Sequence, residues 1–253
     1  MGQFPAASIA QRRLGPNFTS LYRRWQASTN TQICTLNGLD VSGINPIDGL
    51  GNIITADALV QATGAKQALL NVTDATFGNR PTIEFADAEV YQTAGNFALP
   101  TTMTTVLVAE DLNAGAFSSL FESSTYYSVS NGGFVHYING AGTYRTAFHY
   151  TGSTEKLKTS TPSVFVNVVS WDPATAGANA LPLAKVNGLD ETVNTTGSTA
   201  GAWRTQRIQL GGRETLGSQY WVGAVACVSI YDGLFTAAQA AAELAFWKGE
   251  YSI

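Results

Sequence analysis

Residues 220–251 read YWVGAVACVSIYDGLFTAAQAAAELAFWKGEY, and they contain both kinds of regular structure expected of this chain. The first twelve are rich in β-branched and aromatic residues and run into an Asp-Gly turn at Asp232, so they predict a long strand. Thr236 precedes Gln239 by three positions, the spacing of a capping box that starts a helix. Ala240, Leu244, Trp247 and Tyr251 then recur at helical spacing, which places one apolar stripe against a core. A strand followed by a one-faced helix predicts a β body with a helix laid against it.

Upstream, the pattern is strand after short strand. Runs at 82–85, 104–110, 116–122, 126–129, 134–138, 145–149, 163–171, 183–186 and 208–210 are bounded by turn residues. Asn139-Gly140 and Asn187-Gly188 are hairpin dipeptides. Residues 38–68 read as loop, and 191–201 (ETVNTTGSTAG) as a polar surface loop. Such spacing predicts an all-β chain, a single antiparallel two-sheet sandwich with one C-terminal helix.

Composition narrows the function. Of 253 residues, 13% are charged and 45% hydrophobic, with a net charge of −4. That excludes disorder, a coiled coil and an overall basic nucleic-acid binder. Cys34 and Cys227 are too few and too distant for a disulfide framework or a zinc site. No apolar run approaches the roughly 18 residues of a membrane span, and the N-terminus has no secretory leader. The charge is unevenly placed. Residues 1–39 contain Arg12, Arg13, Arg23 and Arg24 and no acid, whereas the body from Asp40 onward is acidic. The division expected is a basic N-terminal arm (1–39) and one body (40–253). Asn17 is placed to cap a short helix with Leu21 and Trp25 on one face. The arm then either docks on an acidic partner through Arg12, Arg13, Arg23, Arg24 and Trp25, or folds back on its own body.

The C-terminal stretch resembles the closing segment of concanavalin A-like, laminin G-like jelly-roll domains. The matching features are Gly223 leading into the strand, Tyr231-Asp232, Thr236 with Gln239, and Lys248 to Tyr251. Three upstream pieces resemble the family in the right order: 80–85 (RPTIEF), 184–188 (AKVNG) and 208–212 (IQLGG). The resemblance covers about residues 40–253 and implies a jelly-roll sandwich. Domains of this kind include lectins, glycosidases, adhesion modules and parts of phage particles, so the fold leaves function open.

Catalysis finds no support in the residue pattern. A glycosidase needs two carboxylates across one groove. Glu84, Asp87 and Glu89 are the nearest set, but they sit at a turn, and Glu84 and Asp87 differ by an odd spacing. His136 and His149 read as strand-surface residues, without a nucleophile elbow or a metal spacing around them. Asp172, Asp190 and Asn194 are the oxygens available to a lectin-type calcium ion, although no cofactor is expected. For glycan contact the aromatic candidates are Trp203, Tyr126, Tyr127 and Tyr144. The charge-poor, hydroxyl- and amide-rich body with its basic arm resembles bacteriophage virion proteins, and that resemblance implies a non-enzymatic capsid decoration or fibre component made in the host cytoplasm. Its expected partners are a major capsid or tail protein, a host surface glycan and further copies in a homo-oligomer such as a trimer, with no nucleic acid or membrane. The alternative is a lectin or adhesin for host attachment, and after it a polysaccharide hydrolase.

Overall fold

The computed structural model describes residues 15–86, 88–112, 117–123, 131–158, 163–213 and 219–253. They form an all-β structure with one long C-terminal helix. The strands are β1 (Leu21–Gln26), β2 (Cys34–Asn37), β3 (Asp40–Ile44), β4 (Leu59–Val60), β5 (Leu69–Asp74) and β6 (Arg80–Phe85). Next come β7 (Tyr91–Thr93), β8 (Met103–Glu110), β9 (Ser118–Ser123), β10 (Gly133–Ile138), β11 (Tyr144–His149) and β12 (Ser153–Lys158). The last are β13 (Val164–Trp171), β14 (Leu183–Val186), β15 (Leu189–Asp190), β16 (Thr192–Thr196), β17 (Gln209–Leu210) and β18 (Gly223–Asp232), followed by α1 (Ala237–Tyr251). The strand predicted at 126–129 lies outside the described residues.

The centre of the sheet is β13–β8–β18, buried on both faces, which explains why these strands read as continuous apolar runs. Leu107, Phe165, Val169, Trp171, Val228 and Ile230 face the main core, opposite Phe121, Phe134, Tyr144 and Phe148 of β9–β11. Val106, Val108, Val166, Val168 and Tyr231 face the other way, toward Ala240, Leu244, Trp247 and Tyr251 of α1. In β18 a bulge between Val225 and Cys227 exchanges the two sides. Val225 and Val228 therefore both enter the main core, while Ala226 and Cys227 both face the helix. Gly223 begins the strand at φ +142°, where a Cβ would run into the Glu110 carbonyl.

The two-sheet expectation needs correction. Hydrogen bonding links β14–β13–β8–β18–β6–β5–β3–β4–β7–β17–β9–β10–β11–β12–β16 into one ladder. Short strands carry the pairing round the corner: β3 meets β5 at a single position, and β4 spans β3 and β7. At the far end, the segment holding β15 and β16 pairs first with β14 and then with β12. The sheet is thereby nearly closed, and residues 191–201, expected as loop, supply an edge strand. Strands of two to five residues are too short to show an alternating pattern, so 38–68 also read as loop.

After Asn17 a single 3₁₀ turn (Phe18–Ser20) forms, and the rest of the predicted helix, Leu21 to Trp25, is a strand instead. β1 pairs antiparallel with β18, and Arg24 exchanges backbone hydrogen bonds with Ile47 on its other edge, at 3.0 and 2.9 Å. With partners on both edges, the segment satisfies its backbone better extended than coiled. Leu21 then faces α1 and Trp25 the main core, so they share no face. The described part of residues 1–39 is woven into the body rather than separate from it.

Candidate functional site

The strands β9–β12 show one face to the main core, and on the opposite face the central residues Glu122, Val135, Ala147 and Tyr137 are buried as well. Cross-strand register places Glu122, Val135, Ala147 and Glu155 in one row of that opposite face. Gln209 and Gln92 extend the row on one side and Thr195 on the other. The neighbouring row holds Ser119, Tyr137, Arg145 and Leu157. Val135, Ala147 and Tyr137 form a small apolar floor against which Phe117 packs. The Phe117 and Tyr137 rings stack at 4.9 Å with 24° between planes.

Two arginine–carboxylate pairs flank this floor. At one end Arg213 Nε meets Glu122, both without exposure. Ser119 Oγ donates to Glu122 at 3.1 Å, and Arg213 Nη1 donates to Gln219 Oε1 at 2.7 Å. At the other end Arg145 Nη1 lies 2.8 Å from Glu155, with side chains 22% and 11% exposed. Glu155 also accepts from the Tyr137 hydroxyl at 3.1 Å and from Asn194 Nδ2 at 3.0 Å. Burial penalises the Arg145 cation, yet Tyr137 and Glu155 outweigh it and hold its pKa above the ordinary arginine value. Asn194 and Thr195 are exposed and Phe117 is half-buried, so the rim around Glu155 is the accessible part. The backbones of Glu122 and Glu155 stand three strand spacings apart, about 14 Å.

The aromatic candidates from the sequence lie elsewhere. Tyr144 is fully buried, with its hydroxyl 2.9 Å from His136 Nδ1, so no ring face is left for a sugar. Trp203 is half-buried and closes one end of the main core, edge-on to Phe134 and Phe148 at 5.9 and 5.5 Å. Tyr126 and Tyr127 lie outside the described residues. The arm arginines divide similarly. Arg12 and Arg13 are outside the described residues, and Arg23 lies 2.6 Å from Asp57. Arg24 is fully buried: Nε donates to Ser229 Oγ at 2.8 Å, Nη2 to the Tyr231 hydroxyl at 2.7 Å, and the guanidinium lies 4.6 Å over Trp247. Trp25 is 1% exposed. Neither Arg24 nor Trp25 presents a surface for docking, because the strand that carries them is paired with β18 on one edge and Ile47 on the other, with α1 over the Arg24 side and the main core over the Trp25 side.

The histidines need correction as well. His136 is fully buried and His149 nearly so. Burial alone lowers the His136 pKa to about 3, so it is neutral in the fold. Glu84 is exposed and accepts from Asn71 Nδ2 at 2.7 Å, Glu89 accepts from the Ala86 amide at 3.1 Å, and Asp87 is outside the described residues. The calcium candidates are engaged separately. Asp172 accepts from the Ala174 amide, Asp190 pairs with Lys185 at 2.5 Å, and Asn194 serves Glu155. Among the described residues no helix is long and apolar enough to cross a membrane.

Sequence reasoning missed Glu122, Tyr137, Arg145, Glu155 and Arg213. One signal was present: in GFVHYI the alternation separates Val135 and Tyr137 from Phe134, His136 and Ile138. Which side faces outward, and what lies beside it, depends on pairing between strands far apart in sequence.

No family model and no curated protein matches the chain. Among solved structures it is similar to domain 4 of AbnA, a GH43 extracellular arabinanase from Geobacillus stearothermophilus, in complex with arabinotriose. That match has a TM-score of 0.58 at 13% identity, over 89% of this chain and 98% of that one. A Trypanosoma rangeli sialidase in complex with 2,3-difluorosialic acid matches with TM-score 0.54 at 11% identity, over 91% of this chain and 33% of that one. A Ruminococcus gnavus IT-sialidase CBM40 matches with TM-score 0.45 at 13% identity, over 65% and 95%. At such identities the first two likenesses speak to the β fold alone.

Proposed function

We propose that the chain is a non-enzymatic, carbohydrate-binding domain of jelly-roll type, and that the accessible rim of β9–β12 around Phe117, Glu155 and β16 is the binding surface. The observation that carries this reading is the Phe117–Tyr137 stack beside the Glu155–Arg145–Asn194 cluster. Sugars need an apolar surface for their C–H faces and fixed donors and acceptors for their hydroxyls, and this rim offers both. Support comes also from the arabinanase domain, whose structure holds arabinotriose on a similar fold. The commitment of both Glu122 and Glu155 to arginine partners supports binding without cleavage.

The finer setting is a bacteriophage virion, with the domain displayed as a capsid decoration or fibre component in a homo-oligomer. Its support lies in the sequence: an acid-free basic first 39 residues before a charge-poor body. Repetition on a particle would strengthen a weak site through avidity.

Glycan-array binding and titration calorimetry of the full chain test the reading. Phe117→Ala and Asn194→Ala are expected to weaken the best glycan at least tenfold, about 1.4 kcal/mol, while Glu84→Gln leaves affinity unchanged. Absence of binding across the array, or release of shortened sugars from a bound polysaccharide, would overturn it.

A further inference from the structure

Both arginines beside the aromatic floor already carry a carboxylate partner. Arg213 is held by Glu122 in a fully buried pair, and Arg145 by Glu155 at 2.8 Å. Each pair is neutral as a unit, and the carboxylates present their oxygens to donors: Ser119, Tyr137 and Asn194. Arg207, hydrogen-bonded to Gln92 at 3.1 Å, stands at the far end of the row, five strands from Glu155.

From this arrangement we infer that the surface selects uncharged sugars and rejects sialic acids and other carboxylated sugars. The inference rests on the carbohydrate-binding reading and specifies its ligand class. A neutral sugar lays a C–H face over Phe117 and directs hydroxyls at Glu155 and Asn194. Among the described residues a carboxylated sugar finds no uncommitted guanidinium there, and its charge approaches Glu155 directly. Like charges placed together cost affinity, and specificity follows from that repulsion as much as from attraction. Arg145 is thus a latent anion site, masked by its own neighbour.

The test compares matched glycans, such as lactose-terminated chains with and without a terminal sialic acid, on the full chain by array and calorimetry. Sialylation of a bound glycan is expected to weaken wild-type binding at least tenfold. Glu155→Gln removes the masking charge while keeping an acceptor and a donor, so the ratio of sialylated to neutral affinity is expected to rise at least tenfold. The double variant Glu155→Gln/Arg145→Gln is expected to lose that gain, which separates unmasking from a general change of shape. Thermal melts check that each variant is folded. Equal wild-type affinity for both partners, or an unchanged ratio in folded Glu155→Gln, overturns the neutral-sugar inference and leaves carbohydrate binding standing. Absence of binding to either partner and to every other glycan on the array overturns both.

Discussion

His136 lies in a buried chain of hydrogen bonds. Trp171 Nε1 donates to Thr105 Oγ1 at 2.9 Å, Thr105 Oγ1 is 3.0 Å from His136 Nε2, and the Tyr144 hydroxyl is 2.9 Å from His136 Nδ1. Its folded pKa of about 3 lies below the ordinary 6.5. The stability it contributes is therefore present above pH 6.5 and is lost as pH falls from there toward 3, at about 1.4 kcal/mol per unit. Urea unfolding at a series of pH values should show a steeper acid loss in wild type than in His136→Gln, and parallel curves would remove the effect. The buried Arg213–Glu122 pair obeys a different rule. Arg213→Met leaves Glu122 as an uncompensated buried carboxylate and is expected to cost about 3–5 kcal/mol in urea titration. Replacing both partners with Glu122→Leu/Arg213→Met is expected to cost far less, because no charge is then stranded. Neither residue announces this in sequence: His136 sits in an alternating strand that reads equally well with either face outward.

At the level of elements, α1 was readable and β1 was not. The Thr236 hydroxyl accepts from the Gln239 amide at 3.2 Å and the Gln239 side chain reaches back to the Thr236 amide at 2.9 Å, as the local spacing implies. Thr236→Ala is expected to cost about 1 kcal/mol, read as a lower melting temperature with unchanged sheet signal. A cap of this kind lies within four residues, so its partners are visible in the sequence. For β1 the deciding partner is β18, some 200 residues away. The bulge in β18 shows the same limit: strict alternation would place Val225 and Val228 on opposite sides, and the extra residue places them together.

At the level of the whole molecule, the nearly closed ladder joins the chain's ends. β1 lies between β18 and Ile47, and Asn17 donates to Glu243 of α1 at 3.1 Å through its side chain. Removing residues 1–26 strips a strand from the sheet and exposes both cores, so we expect loss of cooperative melting and aggregation on expression. A test of the arm as a docking element therefore has to stop at residue 14. The long central strands, the capped helix and the acid-free start were written in the chain, because propensity, caps and charge are properties of neighbouring residues. The closure of the sheet, the burial of Arg24, Trp25, Tyr144 and His136, and the row from Gln92 to Thr195 were decided only by folding. Each of them depends on which distant strands pair and in what register, and a shift of one residue would turn every side chain to the opposite face.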